Sequence, residues 1–434
     1  MADESKFQSE LYIKALGKIE KLADPGSFSQ IAAYVESDNV LAGFATVDTR
    51  PCYIYCQYGP VTTGHAVKIK RIYKMAVSMG VPVVAVLDSG GLNVEDGIEV
   101  LASYGEIFTT MADASGVIPQ ISLIYGKCMG ANAIISGLSD FSFGLKDTKL
   151  FVQSPGTAED IKSVGIDSFM SSSYHFNESG QLHFLYDNDE ALSSGFKLFW
   201  GFIPSNNLEE APILVGNDVE SNMSPLSADM SAGEMIGALC DNGEFIEISA
   251  GYGSEVAAFF ARFDGCTVLS LVSRGDISKA GIDKLIKLVA FSNAFNIPVV
   301  TLTNAKGFKT EVNDQKNAVS QIAALSYVFS NATVPKINIV VGDAVGLAGL
   351  VFNSKFIGAD LVYAWPSAKL SLFTKEAAKV LGAPETEADY ALKKGYVDEV
   401  IEPGDTRKYI SRAIENLSTK RVSKHPKKHG SICF

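Results

Sequence analysis

The segment VPVVAVL at Val81–Leu87 decides the fold, because a close copy of it, IPVVTLT, occurs at Ile297–Thr303. The copy begins 216 positions after the original. A second pair of segments, IPQISLIYG at Ile118–Gly126 and VPKINIVVG at Val334–Gly342, keeps the same spacing of 216. Two matches in one register, with no gap between them, indicate a duplicated domain.

The chain length agrees with two copies of one domain. A chain of 434 residues allows two or three domains, and the repeat favours two, each long enough to bury its own core. We predict an N-terminal domain at residues 1–210 and a C-terminal domain at residues 211–434. The stretch from Pro204 to Pro225, which is rich in Asn, Ser and Pro, is the predicted linker. A duplicated domain can pair two related binding sites, one for each of two substrates.

The hydrophobic pattern alternates between helix and strand in both halves. Ile69, Ile72 and Ala76 show helical spacing just before the strand-like Val81–Leu87. In each half a second helix follows, and then a second strand that we expect to end at Gly126 or Gly342. Strands that alternate with helices predict an α/β fold with buried parallel sheets.

Composition and charge exclude several classes of function. The chain is 47% hydrophobic and 20% charged, with a net charge of −12. The negative charge opposes non-specific binding to nucleic acids, which depends on neutralising phosphates. Apolar runs stay shorter than the ~18 residues that span a membrane. The polar, acidic start (MADESK) is unlike a secretory signal, so we expect a cytoplasmic protein without membrane insertion.

The exception to this charge balance is the basic segment from Lys420 to His429. It is either a solvated tail or a docking segment for a phosphate-bearing ligand or a neighbouring subunit.

The cysteines and histidines predict neither a metal site nor a catalytic triad. Six cysteines are scattered, and the Cys52–Cys56 spacing matches no common metal motif, so we expect reduced thiols. Three histidines, His65, His175 and His183, show no triad or metal spacing.

The chemistry-bearing feature is a strand that runs into a glycine turn and then an apolar helix, once in each half. The turns lie at Gly126–Asn132 and Gly342–Gly349. Backbone N–H groups at a helix start lack intrahelical acceptors and suit a developing oxyanion. The alternative is that these glycines only permit tight packing, and a duplication would copy that role too.

No usual catalytic constellation competes at either turn, and Asp343 comes before Gly346. Met129 and Val345 stand where a serine nucleophile would stand, and a carboxylate does not follow Gly130. A hydratase would need such a carboxylate as its acid or base. A site built on backbone donors fits chemistry in which the substrate or cofactor supplies its own base.

Longer stretches carry a specific resemblance. The chain resembles the carboxyltransferase subunit of biotin-dependent acyl-CoA carboxylases, transcarboxylases and decarboxylases over nearly its whole length. The matching stretches include Ser103–Phe108, Ala114–Ser122, Phe202–Asn207, Ala294–Pro298, Gly358–Pro366, Lys393–Ile401 and Pro426–Gly430.

The resemblance implies two tandem crotonase-like domains and a homohexamer, a trimer of dimers. It places the CoA thioester on the N-terminal domain and biotin on the C-terminal domain. The N-terminal oxyanion donors then fall on Gly130 and Ala131, and the C-terminal donors on Leu347 and Ala348, beside Gly346. Biotin itself supplies the base, so no protein base is needed.

The resemblance also implies binding roles and partners. The residues placed at the two ligands are Gly90, Gly91, Gly307, Phe308 and Leu350, the last at a position that varies with acyl-chain size. We expect transfer between biotin and propionyl-CoA/methylmalonyl-CoA or acetyl-CoA/malonyl-CoA. The chain lacks a biotin-attachment signature, which implies a separate biotin carrier protein. Biotin carboxylase or membrane decarboxylase subunits are the further partners expected.

Departures from the family pattern leave two alternatives. Leu347 stands in a glycine slot, where its side chain could block close approach or strain the backbone, and Gly349 replaces a bulky aromatic residue. One alternative is a non-catalytic subunit that scaffolds an active paralogue. The other is a different crotonase-type CoA enzyme, such as a hydratase or thioesterase.

Overall fold

The computed structural model describes residues 10–31, 39–60, 62–91, 93–153, 169–214, 226–384, 387–427 and 430–431. The chain divides into two compact units, Met1–Glu210 (unit 1) and Ala211–Phe434 (unit 2). Each is an α/β unit with one mixed, largely parallel sheet.

The described part of unit 1 contains an eight-stranded sheet in the order β1-β2-β3-β4-β5-β6-β8, with β7 paired to β5. The β1–β2 and β2–β3 pairs are antiparallel, whereas the remaining pairs are parallel. The strands are β1 Ser29–Gln30, β2 Val40–Val47, β3 Arg50–Tyr58, β4 Val83–Ser89, β5 Gln120–Met129, β6 Phe141–Leu145, β7 Lys149–Phe151 and β8 Phe184–Tyr186.

The helices of unit 1 cover this sheet with their apolar sides. Ile69, Ile72 and Ala76, which the helical spacing singles out, are buried on α2. Because both faces of the central strands are covered, β4 is continuously apolar from Val83 to Leu87. The helices are α1 Glu10–Leu22, α2 Thr63–Met79, α3 Glu99–Ala114, α4 Ala131–Leu138, α5 Ser172–Asn177 and α6 Asp189–Trp200.

The described part of unit 2 contains a nine-stranded sheet in the order β9-β10-β11-β13-β14-β15-β17. Two short strands lie off this path, β12 against β13 and β16 against β14. The strands are β9 Phe245–Ile248, β10 Val256–Phe263, β11 Cys266–Ser273, β12 Gly275–Ile277, β13 Val299–Phe308, β14 Lys336–Val345, β15 Leu361–Ala364, β16 Lys369–Ser371 and β17 Glu399–Val400.

The helices of unit 2 follow the order of the described helices of unit 1. They are α7 Ala232–Leu239, α8 Lys279–Ala294, α9 Val312–Gln315, α10 Ala318–Asn331, α11 Gly346–Val351, α12 Lys375–Leu381, α13 Ala388–Lys393 and α14 Thr406–Leu417.

The duplication is visible in the strand registers. Val83 pairs with Gln120 in unit 1, and Val299 pairs with Lys336 in unit 2, each residue being 216 positions from its counterpart. The parallel ladder shifts register at the same place in both units, just before Ser89 and Ala305. The predicted α/β fold with an internal duplication is therefore confirmed.

Two buried lysines repeat as well. The Lys68 ammonium donates to the Val40 carbonyl at 3.1 Å, and the Lys284 ammonium donates to the Val256 carbonyl at 2.8 Å. Burial lowers the pKa of Lys284 to about 8, because a charged ammonium is poorly solvated there.

The strands that lead to the two glycine turns are longer than predicted. β5 continues beyond Gly126 to Met129, and β14 continues beyond Gly342 to Val345. The extra residues pair with short strands, Lys127–Met129 with β7 and Asp343–Val345 with β16. Local sequence cannot show these partners, since they lie more than 20 residues further along the chain.

The basic segment lies against unit 2 over its described part, residues 420–427. The Lys424 ammonium donates to the Ser330 carbonyl at 2.9 Å, and the Lys427 ammonium donates to the Asn331 side chain at 2.7 Å. Cations at the carboxyl end of α10 interact favourably with the helix dipole. These lysines are therefore attached to the fold, and Lys428 and His429 lie outside the described residues.

Candidate active site

In the first turn, Met129–Asn132, a single residue separates the end of β5 from the start of α4. Gly130 links β5 to α4 with a left-handed φ of 63°, which favours glycine. Its N–H donates to the Phe151 carbonyl at 2.9 Å, and its own carbonyl accepts from Ala133 at 3.1 Å. The amide predicted as a donor at Gly130 is thus used within the fold. The candidate donor is the amide of Ala131, the first residue of α4.

Gly90 and Gly91 lie beside this turn. Ser89 pairs with Cys128 in the ladder, and a β-carbon at Gly90 would lie 3.5 Å from the Met129 methyl carbon. Gly91 has a φ of 122°. The Ser89 hydroxyl donates to the Gly59 carbonyl at 2.6 Å and so fixes the start of this glycine pair. The structure therefore brings the N-terminal candidate residues together at the carboxyl ends of two neighbouring strands.

A buried polar pair supports the first turn from below. The Tyr104 hydroxyl on α3 donates to the Asn132 side-chain oxygen at 2.9 Å. Both side chains are buried, and burial raises the pKa of Tyr104. The hydroxyl therefore stays protonated and keeps the second residue of α4 in place. No sequence motif points to this pair, whose members lie 28 positions apart.

The second turn, Val345–Ala348, repeats this arrangement in unit 2. Gly346 has a φ of 54°, and a β-carbon there would lie 3.2 Å from the Leu372 carbonyl oxygen. Leu347 does not share that backbone strain, because left-handed φ values among the described non-glycine residues occur elsewhere. Its side chain is 63% exposed, whereas Ala348 is buried.

The other C-terminal candidates lie on adjacent elements. Gly307 and Phe308 are the last residues of β13, where they pair with Asp276 and Ile277 of β12. A β-carbon at Gly307 would lie 3.1 Å from the Asp276 carboxylate. Leu350 is half-buried on α11. Because β13 pairs with β14 up to Ala344, these residues lie at the same sheet edge as the second turn.

Gly349 has a packing role. A β-carbon at this position would lie 2.5 Å from the Ala344 carbonyl carbon. Glycine therefore does not open space at this position, since α11 comes so close to β14 that the space is filled by backbone.

Gly126 and Gly342 lie three residues before the ends of β5 and β14, and each is required because a neighbouring side chain packs against it. A β-carbon at Gly126 would lie 2.2 Å from the Asp88 carboxylate, and one at Gly342 would lie 2.6 Å from the Asn304 side chain. Asp88 forms an ion pair with Lys18 at 2.6 Å, whereas the Asn304 side-chain oxygen accepts from the Asp343 amide at 3.1 Å. Asp88 and Asn304 are 216 positions apart, so the repeat itself points to them.

The three histidines form hydrogen bonds with backbone groups. His65 accepts from the Thr62 amide at 2.7 Å, and burial lowers its pKa to about 4. His183 accepts from the Ser142 amide at 3.0 Å. His175 bonds the Leu150 carbonyl at 2.6 Å, and burial lowers its pKa. All three therefore have structural partners.

Metal and membrane signals are weak throughout the described ranges. Within them, His, Cys, Asp and Glu side chains do not gather in threes to hold a metal ion. The described helices include none with the length and apolar character needed to cross a membrane. The five described cysteines are free, and Cys433 lies outside the described residues.

Comparison with known proteins decides the family. The carboxyl transferase domain model matches residues 15–381. The chain belongs to the carboxyl transferase family.

Relatives within the carboxyl transferase family align over almost the whole chain. The methylmalonyl-CoA decarboxylase subunit alpha of Veillonella parvula is 32% identical, covering 96% of this chain and 92% of the relative. The mitochondrial propionyl-CoA carboxylase beta chain of Mus musculus is 31% identical, covering 97% of this chain and 88% of the relative. The predicted resemblance is confirmed.

The three-dimensional likeness to this family is equally extensive. A transcarboxylase 12S crystal structure, described as a hexamer and solved with hydrolysed methylmalonyl-coenzyme A, superimposes with a TM-score of 0.90. It is 30% identical, with 97% of this chain and 92% of that chain covered. The two-unit α/β architecture of the present chain is thus the architecture of a carboxyl transferase.

Proposed function

We propose that this carboxyl transferase moves a carboxyl group between biotin on a separate carrier protein and a small acyl-CoA. The acyl pairs considered are propionyl-CoA/methylmalonyl-CoA and acetyl-CoA/malonyl-CoA. The observation that carries the proposal is the repetition of one strand–glycine–helix turn in both units of a family member. Two such turns match a reaction with two carbonyl-containing ligands, since each requires a donor for its oxygen.

We assign the acyl-CoA thioester to unit 1, which is a crotonase-like domain in this proposal. The amide of Ala131 would donate to the thioester oxygen as that oxygen gains charge. Gly90 and Gly91 lie at the adjacent strand end and lack side chains that would obstruct a ligand. Tyr104 holds Asn132 and thereby the orientation of the first helical turn.

We assign biotin to unit 2, whose second turn fits its ureido oxygen. That oxygen needs N–H donors, and the amides of Leu347 and Ala348 stand in the first turn of α11. The Leu347 side chain is largely exposed and its backbone lacks left-handed strain, so the leucine is compatible with donation from its amide. When bound, carboxylated biotin supplies the carboxyl group and the basic nitrogen.

The residues of the chain bind, orient and stabilise charge in this reaction. Ala131 lowers the energy of the thioester enolate through its amide. Leu347 and Ala348 withdraw charge from the ureido oxygen, which favours release of the carboxyl group. No side chain has to transfer a proton. The half-buried Leu350 places apolar surface near the second turn.

We propose a homohexamer, a trimer of dimers, in the cytoplasm. The support is the hexamer described for the 12S relative. A biotin carrier protein is the required partner, together with biotin carboxylase or membrane decarboxylase subunits. The relatives include both a carboxylase beta chain and a decarboxylase alpha subunit, so either coupling has a precedent.

The test is decarboxylation of malonyl-CoA and methylmalonyl-CoA by the purified chain, with and without free biotin. We expect biotin-dependent loss of carboxylate from one of the two thioesters. Turnover that is indifferent to biotin would identify another crotonase-type CoA enzyme. Failure of both turnover and CoA-ester binding would identify a scaffolding subunit.

A further inference from the structure

One pair of equivalent positions beside the two turns, 88 and 304, differs by one charge. Asp88 lies in β4 of unit 1 and Asn304 lies in β13 of unit 2, and each covers a glycine of the next strand. The carboxylate of Asp88 contacts Gly126, in the strand that leads to the first turn. The amide of Asn304 contacts Gly342, in the strand that leads to the second turn.

The uncharged residue, Asn304, is held in place by a hydrogen bond from the backbone. The Asn304 side-chain oxygen accepts from the Asp343 backbone amide, and the Asn304 backbone N–H donates to the Ser273 hydroxyl at 3.0 Å. These contacts need no cation, because an asparagine side chain carries no charge.

The charged residue, Asp88, is held in place by a lysine on helix α1. The Lys18 ammonium on α1 lies 2.6 Å from the Asp88 carboxylate and 5.2 Å from the centre of the Tyr125 ring. The Lys18 side chain is 19% exposed, so this ion pair is partly shielded from water. Tyr125 directly precedes Gly126, and both contacts of Lys18 therefore converge on the strand of the first turn.

We propose that Lys18 is a positioning residue that neutralises Asp88 where unit 1 must stabilise a negative charge. This inference rests on the proposed function, in which the thioester oxygen becomes anionic at Ala131. An uncompensated carboxylate just before Ser89, Gly90 and Gly91 would repel that anion. It would also lose the partner that keeps it against Gly126.

The experiment compares Lys18→Met with the double variant Lys18→Met/Asp88→Asn in biotin-dependent decarboxylation of methylmalonyl-CoA. We expect Lys18→Met to lower kcat about tenfold or more with KM changed less than about twofold, because the lost interaction acts on developing charge. The double variant removes the uncompensated charge and reproduces the side chain of unit 2. It should recover kcat to within about threefold of the unmodified protein.

The matched control is Lys21→Met, which removes an ion pair from the same helix. Lys21 pairs with Asp189 at 3.0 Å, and this contact connects α1 with α6. Its removal should leave kcat within about twofold of the unmodified protein. Equal losses in Lys18→Met and Lys21→Met, or an unrecovered double variant, would overturn the proposal and leave Lys18 a structural role.

Hydrogen exchange gives a readout that does not depend on turnover. Amides between Gly126 and Asn132 should exchange faster in Lys18→Met and at the original rate in the double variant, because the asparagine can again cover Gly126. Unchanged exchange in Lys18→Met would contradict the proposal. Biotin-independent or absent turnover by the unmodified protein would instead remove the proposed function, so the two failures are distinguishable.

Discussion

Gly349 lies directly against the backbone of Ala344. A β-carbon at position 349 would come within 2.5 Å of the Ala344 carbonyl carbon and 2.8 Å of its oxygen. The helix that follows the second turn therefore approaches its own strand at a distance that only glycine permits.

Gly349→Ala should consequently destabilise unit 2. We expect a loss of about 1–3 kcal/mol in the free energy of unfolding, since either the helix or the strand end must move. Urea unfolding followed by circular dichroism measures the change. Gly105→Ala is the matched control, because a β-carbon on that exposed helical glycine meets no atom within 4 Å. A loss for Gly349→Ala no larger than the control's would show that the approach is less tight.

Ala131→Pro tests the donor of the first turn. Proline removes the amide hydrogen but suits the first position of a helix, and the preceding Gly130 is already outside the right-handed helical region. We expect kcat to fall about 100- to 1000-fold while the midpoint of thermal unfolding changes little. Ala131→Ser keeps the amide and should retain most of the activity. Full activity of the proline variant would assign the donor elsewhere.

Leu347→Gly and Leu347→Pro separate the side chain from the amide at the second turn. Because the leucine side chain is largely exposed, its removal should preserve or raise carboxyl transfer. Proline removes the amide hydrogen and should lower transfer about 100-fold or more. Assays with free biotin measure both variants. Loss of transfer in a folded Leu347→Gly protein would count against this turn as the biotin site.

Lys284 should make stability depend on alkaline pH. Its pKa is about 8 in the fold and near 10.5 in the unfolded chain. The folded state therefore binds fewer protons between these values, and the free energy of unfolding should rise with pH across that window. The expected contribution is about 3 kcal/mol relative to Lys284→Met.

Urea unfolding of both proteins at pH 7.5, 9 and 10 measures the difference. The free energy of unfolding should rise less steeply with pH in Lys284→Met than in the unmodified protein. Lys336, whose pKa burial also lowers to about 8, provides a second position at which the same difference is expected. Identical slopes in the two proteins would show that Lys284 is better solvated than its burial indicates.

The sequence predicts those parts of the fold that depend on the local spacing of apolar residues and on the internal repeat. Val81–Leu87 and Ile297–Thr303 identify equivalent strands, and the apolar spacing at Ile69 and Ile72 identifies a core-facing helix. Each predicted turn contains the glycine between strand and helix, Gly130 or Gly346, although the strand before it runs three residues further than predicted. Local preference and tertiary packing agree at these places.

The details that sequence could not provide depend on partners far along the chain. The Gly130 amide donates its hydrogen bond to Phe151, which belongs to a short strand and lies 21 positions later. Lys18 meets Asp88 across 70 positions, and neither residue lies in a recognisable motif. The choice between packing and chemistry for the turn glycines stayed open for the same reason, because their left-handed backbone is a tertiary property.

One pair of equivalent hydrogen bonds shows where the two copies of the domain differ in length. Asp140 and Gln120 exchange backbone and side-chain bonds at 2.8 Å, and Asp360 and Lys336 do the same. Asp360 stands 220 positions after Asp140, whereas Lys336 stands 216 after Gln120. Four residues were therefore gained or lost after the turn, between Gly130 and Asp140 or their counterparts. The strands that lead to the two turns keep the spacing of 216, so a chimera that exchanges the segment behind one turn for the other should keep these strands in register.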